Sequence, residues 1–530
     1  MNATMNNVTA HVPASSNWLI SFVVFGTALI APPLVSAMPM TVREILKEVN
    51  ALVPEIKDPG ERDVILERMA TLQARIGDYD AARKSLSGMK LNRGNAMSRI
   101  LVPGLINAGR LDQVNELIQG IEPGIGGREN ALVSVAEAEA RNGNVDEALR
   151  IAGSIDENWA QHLDALHKIG TVQASSGDLD GALKTLSGVL DEYPHALWDI
   201  VTPMAKAGDV EKALDFIARV PQDYVQDYAR WGVVRGQIAA GDLDGASKTA
   251  ESMVGRHPKS LALAEIARSE FERGKAGEGR ARLQGAARIA VDIPGSFIQG
   301  DALWQIASVQ ASVGDLEPAL ETARFIRAEG MRQHALGLIL SARADAGDVD
   351  GVRRTAAIYA NGADDEQNSY ANCLIAKASS RAGDVEGARR LIDTFDADDR
   401  LCALNVISID RAAVGDITEA LQAAREMESG SWRKDSALHE ISEYQAKMGD
   451  VRGAVQTISQ IRSERSKADA LHDLAKSAAS QGGGASDFRW ASRIKEPFQR
   501  ASVLLGIAEG RMATSTDDQG QPTSAGTENK

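Results

Sequence analysis

The sequence predicts an all-α solenoid of about thirteen helix-turn-helix units. Three features lead there: a string that keeps returning, a Gly-Asp pair at its centre, and apolar residues at helical spacing on both sides of that pair. The string reads "SSGDLDGALKTLSGV" at 175–189, "RIGDYDAARKSLSGM" at 75–89, "RAGDVEGARRLIDTF" at 381–395 and "KMGDVRGAVQTISQI" at 447–461. Its glycine falls at Gly77, Gly109, Gly143, Gly177, Gly208, Gly241, Gly274, Gly314, Gly347, Gly383, Gly415, Gly449 and Gly482, which define units one to thirteen. Fixed-period self-similarity of this length marks a stacked-repeat architecture.

Alanine stands twelve positions before the glycine in eleven of the thirteen units. Ile, Leu, Met or Val follows three to four places later, as at Ile169, Ile306 and Ile441. That spacing is one face of a helix. After the glycine come an apolar residue at plus two, alanine at plus five (Ala82, Ala148, Ala182, Ala213, Ala246, Ala319, Ala388, Ala420, Ala454) and an apolar residue at plus twelve. These mark a second helix. Between the two, glycine takes the left-handed conformation that ends the first helix. Asp or Asn then caps the second. The alanines sit where two helices cross closely, since a larger side chain would hold them apart.

This pattern resembles the tetratricopeptide repeat family, on "IGDYDAA" at 76–82 and "NGNVDEAL" at 142–149. The resemblance covers residues 60–511 and implies a right-handed α-solenoid that binds a peptide or protein along its concave face. The sequence departs from the family in three ways. Leucine replaces the first large aromatic, alanine usually replaces the first helix's glycine, and glutamine stands where the family has tyrosine (Gln73, Gln173, Gln237, Gln310, Gln445). The 40-residue spacing that contains "VDIPGSFIQG" reads as a lengthened connection, and "GKAGEGRA" in unit seven is the weakest match.

Residues 41–59 read as an N-terminal cap helix and its connection, with Thr41 and Glu44 in capping-box spacing. The array occupies 60–496. Residues 497–511 repeat the first-helix pattern with no second helix after it and read as a C-terminal cap. Residues 512–530 read as a disordered tail. The first 42 residues carry no charged side chain, and 18–31 are apolar apart from Ser21 and Thr27. A stretch of this length is short for a membrane span, which needs about 20 residues. Followed by Pro32, Pro33 and the small residues Ser36 and Ala37, it reads as a signal peptide over 1–37 cleaved after Ala37. The leading segment lacks Lys and Arg, so an uncleaved membrane anchor is the rival reading. The expected location is exported, periplasmic or secreted, with any membrane contact made only through this segment.

The net charge of −15 argues against a nucleic-acid partner, which needs basic surface to replace counterions. Two cysteines, Cys373 and Cys402, exclude a disulfide scaffold and a four-cysteine zinc site. They read as free thiols, with a single bridge as the alternative. No nucleotide, zinc-protease or hydrolase motif is present. The "DADD" acids at 396–399 read as solvated loop, and His162 and His167 lie off a single helical face. The expectation is a non-enzymatic scaffold with no cofactor and no metal.

One constellation points to binding. The resemblance implies that the second and fifth positions of each first helix face the groove. The fifth holds His167, Trp198, Trp231, Trp304, His439 and His472; the second holds His195, Tyr228, His334 and Tyr370. In a chain with 4% aromatic residues, Trp198, Trp231, Trp304, His195, Tyr228, His334 and Tyr370 are the candidate ligand-binding residues. The competing reading places these rings in the core between successive helices. A peptide or protein is the expected ligand. A glycan chain is the alternative, because aromatic faces also stack on sugar rings. Arg235, Arg268 and Lys377 at the ninth position lean toward an acidic or carboxylate-bearing partner.

Overall fold

A computed structural model describes residues 41–517, apart from 123–125, 157, 159, 360–364 and 484–487. The expected cleavage site and most of the expected tail lie outside the described residues. Among the described residues the chain forms 27 α-helices, a few 3-10 turns and no strand.

The glycine ruler marks the turns. All thirteen ruler glycines have φ between 69° and 93°, the left-handed region in which a Cβ is strained. The aspartate that follows caps the second helix: Asp78, Asp178, Asp242, Asp384, Asp416 and Asp450 each accept from the backbone N–H three residues on. The nine alanines at plus five are all fully buried. The glutamine row has a structural role of its own. Each of four buried glutamines accepts from a hydroxyl twelve residues on, across the helix pair: Ser85 to Gln73 at 2.8 Å, Thr185 to Gln173 at 2.7 Å, Thr249 to Gln237 at 2.8 Å and Thr457 to Gln445 at 2.7 Å. In unit seven the same two positions hold Glu270 and Arg282, paired at 2.6 Å. The unit that matches the repeat least keeps the same cross-link as an ion pair.

The 40-residue spacing is not a lengthened connection. The extra residues extend the second helix of unit seven, which runs Ala276–Val291 where neighbouring second helices are about half as long.

The two helices expected to cap the ends, Val42–Leu52 and Pro497–Asp517, pack on each other. The second of these runs past the expected boundary at Arg511 to Asp517. On one side it lies along the first helix of unit thirteen, Glu464–Ser480, and on the other it meets Val42–Leu52 and the first helix of unit one, Pro59–Arg75. Gly506 and Gly510 make the first approach possible, because a Cβ at either would run into the carbonyl oxygen of His472 or Lys476. Val42–Leu52 matches a second helix in register. Thr41 takes the capping position, and Ile45 and Val49 fall at plus five and plus nine, 1% and 0% exposed. Elsewhere Leu86, Leu186 and Ile458 fill that plus-nine site. The two ends of the chain therefore build one more helix pair, split between termini. Arg500 pairs with Glu48 at 2.6 Å, and Arg68 with Asp469 at 2.9 Å. One apolar core runs unbroken from Ala376 through Ala508 to Ile45 and on to Ile169.

The solenoid is thus closed into a ring. Successive first helices pack on one another, whereas no comparable packing joins successive second helices, so the first helices form the inner wall. Among the described residues, helices pack closely only within a unit, between successive units and at the closing contacts, which leaves the middle open. Twelve units are helix pairs; in unit thirteen the described residues after the turn form the 3-10 turn Arg489–Arg493 where a second α-helix was expected. The thirteen first helices and Pro497–Asp517 put fourteen first helices around that middle. At roughly 8–10 Å between axes they enclose an opening roughly 25–35 Å across.

Candidate binding surface

The first helices of units five and six carry the centre of the aromatic rows. In unit five, Pro194 starts a 3-10 turn, Pro194–Leu197, that leads into the short helix Trp198–Lys206. In unit six, Asp223–Ala240 holds Tyr228 and Trp231. The second of these helices presses onto the first at Gly232 and Gly236, where a Cβ would meet Trp198 and Val201, or the Thr202 carbonyl and Ala205. That close crossing brings four of the seven candidate residues together. His195 stacks on Trp198 with centroids 4.9 Å apart and lies 5.2 Å from Tyr228, and Trp198 meets Trp231 edge-on at 4.7 Å. The Trp198 indole N–H donates to the Tyr228 carbonyl at 2.6 Å.

The four rings differ in exposure. His195 is exposed, Trp198 and Tyr228 are half-buried, and Trp231 is only 6% exposed. Trp231 therefore belongs to the core, against the expectation that it is partly exposed. Trp304 is half-buried against the core of its own arc, while His334 and Tyr370 are exposed. No ring contact joins these three to the cluster.

The sequence reading missed His257, Asp301 and Gln305. The Tyr228 hydroxyl lies 2.8 Å from His257 Nδ1, and His257 Nε2 lies 2.8 Å from Asp301. Gln305 donates to the same carboxylate at 3.0 Å. The hydrogen bond from His257 holds the Asp301 carboxyl below its usual range, and burial pushes the Tyr228 hydroxyl up. The chain ties units six, seven and eight together and fixes the Tyr228 ring. Asp301 stands in the second-position row beside the aromatics, which is the one sequence signal that pointed to it. His257 lies upstream of both rows and had none.

Two of the three ninth-position cations are already engaged. The Arg235 guanidinium lies 4.8 Å above the Trp198 ring and 3.5 Å from Glu265. Lys377 pairs with Asp345 at 2.5 Å. Burial pushes the Glu265 carboxyl up, and Arg235 opposes the shift. Arg268 is exposed, so the lean toward an acidic partner keeps one of its three residues. The buried acids are structural: Asp63, Asp227 and Asp435 each accept from two backbone N–H groups 27 and 28 residues on, where the chain enters the next unit.

Four of the histidines outside the cluster are struts. His162 Nδ1 lies 3.0 Å from the Ala152 carbonyl, and His167 Nε2 3.1 Å from that of Ala196. His439 and His472 both contact Asp473, at 3.1 and 3.0 Å, and His472 reaches Glu509 in the closing helix at 3.2 Å. Burial opposes charge on His472, but its two carboxylate partners outweigh burial and raise its pKa, while the Glu509 carboxyl is held down at about 2. Cys373 and Cys402 form a disulfide across the first helices of units ten and eleven, with Cα atoms 5.8 Å apart, where free thiols were expected. The fifth position of one helix and the second of the next face each other, within the usual Cα span for a bridge.

A cleft of about 410 Å³ opens beside the aromatic cluster, between Ala160–Ser175 and the 3-10 turn Pro194–Leu197, and His195 borders both cleft and cluster.

Fold and wall define a closed helix-pair solenoid with an aromatic sector on its inner face, a scaffold suited to binding. The tetratricopeptide repeat family model matches residues 164–196, which include His195 and most of the cleft lining. Over that stretch the chain is similar to the tetratricopeptide repeat family. No curated protein matches it. Among solved structures it overlaps the pentatricopeptide repeat protein PPR10 from maize, at 14% identity over 92% of this chain and 86% of that one, with a TM-score of 0.29. Ton1535 from Thermococcus onnurineus NA1 overlaps at 15% identity over 58% and 97%, TM-score 0.24. A circular tandem repeat protein overlaps at 14% identity over 90% and 98%, TM-score 0.15. Superpositions this loose carry no argument about the site.

Proposed function

We propose that the ring is a non-enzymatic scaffold that holds an extended segment of a partner protein against the sector of its inner wall formed by His195, Trp198 and Tyr228. The observation that carries this reading is the ring cluster itself: exposed and half-buried aromatics, beyond the Leu and Ile rows that build the repeat, gathered at one place in a chain poor in them. A peptide fits better than a glycan. Sugars stack on an open ring face, and the Trp198 ring already carries Arg235 over it and His195 stacked on it, with Trp231 edge-on. A nucleic acid fits poorly. PPR10 has been solved in complex with an RNA element. Here, however, the net charge is −15 and the basic residues Arg235 and Lys377 are already paired with carboxylates.

Capture of partners from envelope extract tests the reading. Wild-type ring should retain a protein that Trp198→Ala loses about tenfold or more, as aromatic anchors do. Equal retention by both would sink it.

The scaffold is exported on this reading. The apolar segment over 18–31 and the small residues before Met38 support it, as does a disulfide, which persists in oxidising compartments. The folded ring begins at Thr41, just after the proposed cleavage point. Intact-mass measurement should find a mature chain starting at Met38. A full-length chain in the cytoplasm would overturn export.

A further inference from the structure

We infer that the cleft between the first helices of units four and five seats an anchor side chain of the partner: a bulky aliphatic or aromatic residue flanked by lysine or arginine. This rests on the inner-wall reading and names the chemistry of the segment that lies there.

The cleft is a local break in the packing of the inner wall. Most successive first helices pack closely; those of units one and two meet sparsely, and here they meet least of all. The cause is in the sequence. "DEYPH" at 191–195 places a proline where the first helix of unit five would begin, and the 3-10 turn that replaces its first turn leaves space over Ala160–Ser175. The walls are mainly apolar, made by Leu163, Val189, Tyr193 and the methyl groups of Ala160 and Ala196. Apolar walls give ordered water few partners, so a side chain is the better occupant. The volume of about 410 Å³ sits at the small end of ligand pockets.

Three polar groups of the lining remain to address a ligand. His167 is engaged by the Ala196 carbonyl and by Asp199 at 3.4 Å, which leaves His195, the Tyr193 hydroxyl and Asp164, the last of them sharing Lys168 with Glu137. His195 also forms the edge of the aromatic wall, so a chain lying on Trp198 and Tyr228 runs directly to the cleft. The mouth is acidic. Asp164 lines it, Asp199 contacts its wall, and Asp191 and Glu192 precede Tyr193 in the connecting loop. The nearby cation Lys168 is shared between Asp164 at 3.7 Å and Glu137 at 3.5 Å. Carboxylates around an apolar pocket select a cation beside the apolar anchor.

Fluorescence anisotropy on the mature chain tests this with three short labelled peptides. One carries a phenylalanine between lysines, one an alanine between lysines, and one a phenylalanine between glutamates. The first should bind about tenfold tighter than either control. Ala160→Trp fills the cleft from an exposed position. It should abolish that preference with an unchanged thermal melt. Asp164→Lys should weaken the first peptide and strengthen the third. Equal binding of all three peptides, or a preference that survives Ala160→Trp, overturns the inference. If that happens while Trp198→Ala still loses the envelope partner, the inner-wall reading stands without the cleft. Discrimination among the peptides without any Trp198-dependent partner leaves the cleft and removes the wall.

Discussion

A chain ending at Glu496 should lose most of its cooperative stability and open. The closing helix Pro497–Asp517 buries Phe498, Val503, Leu504, Leu505 and Ile507, each at most 2% exposed. Burying such side chains is worth about 1.5–3 kcal/mol apiece, or roughly 8–15 kcal/mol together. That is comparable to the whole net stability of an ordinary domain, about 5–15 kcal/mol. In an open array, removing a terminal unit costs one interface. Here the same cut uncovers Ile45 and Val49 at the other end of the chain, leaves Glu48 without Arg500, and takes away the helix that packs on both the Arg68 helix and the Asp469 helix. The truncated chain should melt far below the parent, and its radius of gyration in solution scattering should rise. Gly506→Val offers a full-length check, because its side chain would meet the His472 carbonyl and force the two helices apart. Truncated chain and parent with the same melt and the same radius would mean that the ring does not close in solution.

Local features of this fold were legible in the sequence because each is set by neighbours along the chain. The glycine turns, the capping aspartates and the buried alanines at plus five all follow from spacing within one unit. The closing pair was half legible at each end. Thr41 and Glu44 announced a helix start, and residues 497–511 repeated a first-helix pattern. Each half lacked a partner nearby, and spacing carries no information on a contact more than 400 residues apart, such as Arg68 with Asp469. Cys373 with Cys402 depends on the offset between neighbouring helices, which the repeat period averages away. The aromatic rows were legible as rows, but the depth of each ring was not. Gly232 and Gly236 let unit six press onto unit five and carry Trp231 beneath Trp198.

That difference in depth sets the second large effect. Trp231→Ala should cost about 3–5 kcal/mol, the range for emptying a buried tryptophan site. The ring is 6% exposed and belongs to the apolar core that runs from Val234 to Ala378. Its loss leaves a void under Trp198 that the backbone cannot close, because the helices already touch at Gly236 and the Thr202 carbonyl. Trp198→Ala removes a half-buried ring and one hydrogen bond, worth about 0.5–1.5 kcal/mol net. The two substitutions should therefore separate. Trp231→Ala should lower the melting temperature sharply, with partner binding falling only as the folded fraction falls. Trp198→Ala should move the melt less and reduce binding in protein that is still folded. Thermal melts and binding titrations of both variants, run at a temperature where each is folded, decide it. A Trp231→Ala protein that melts with the parent would put that ring on the surface and return it to the binding wall.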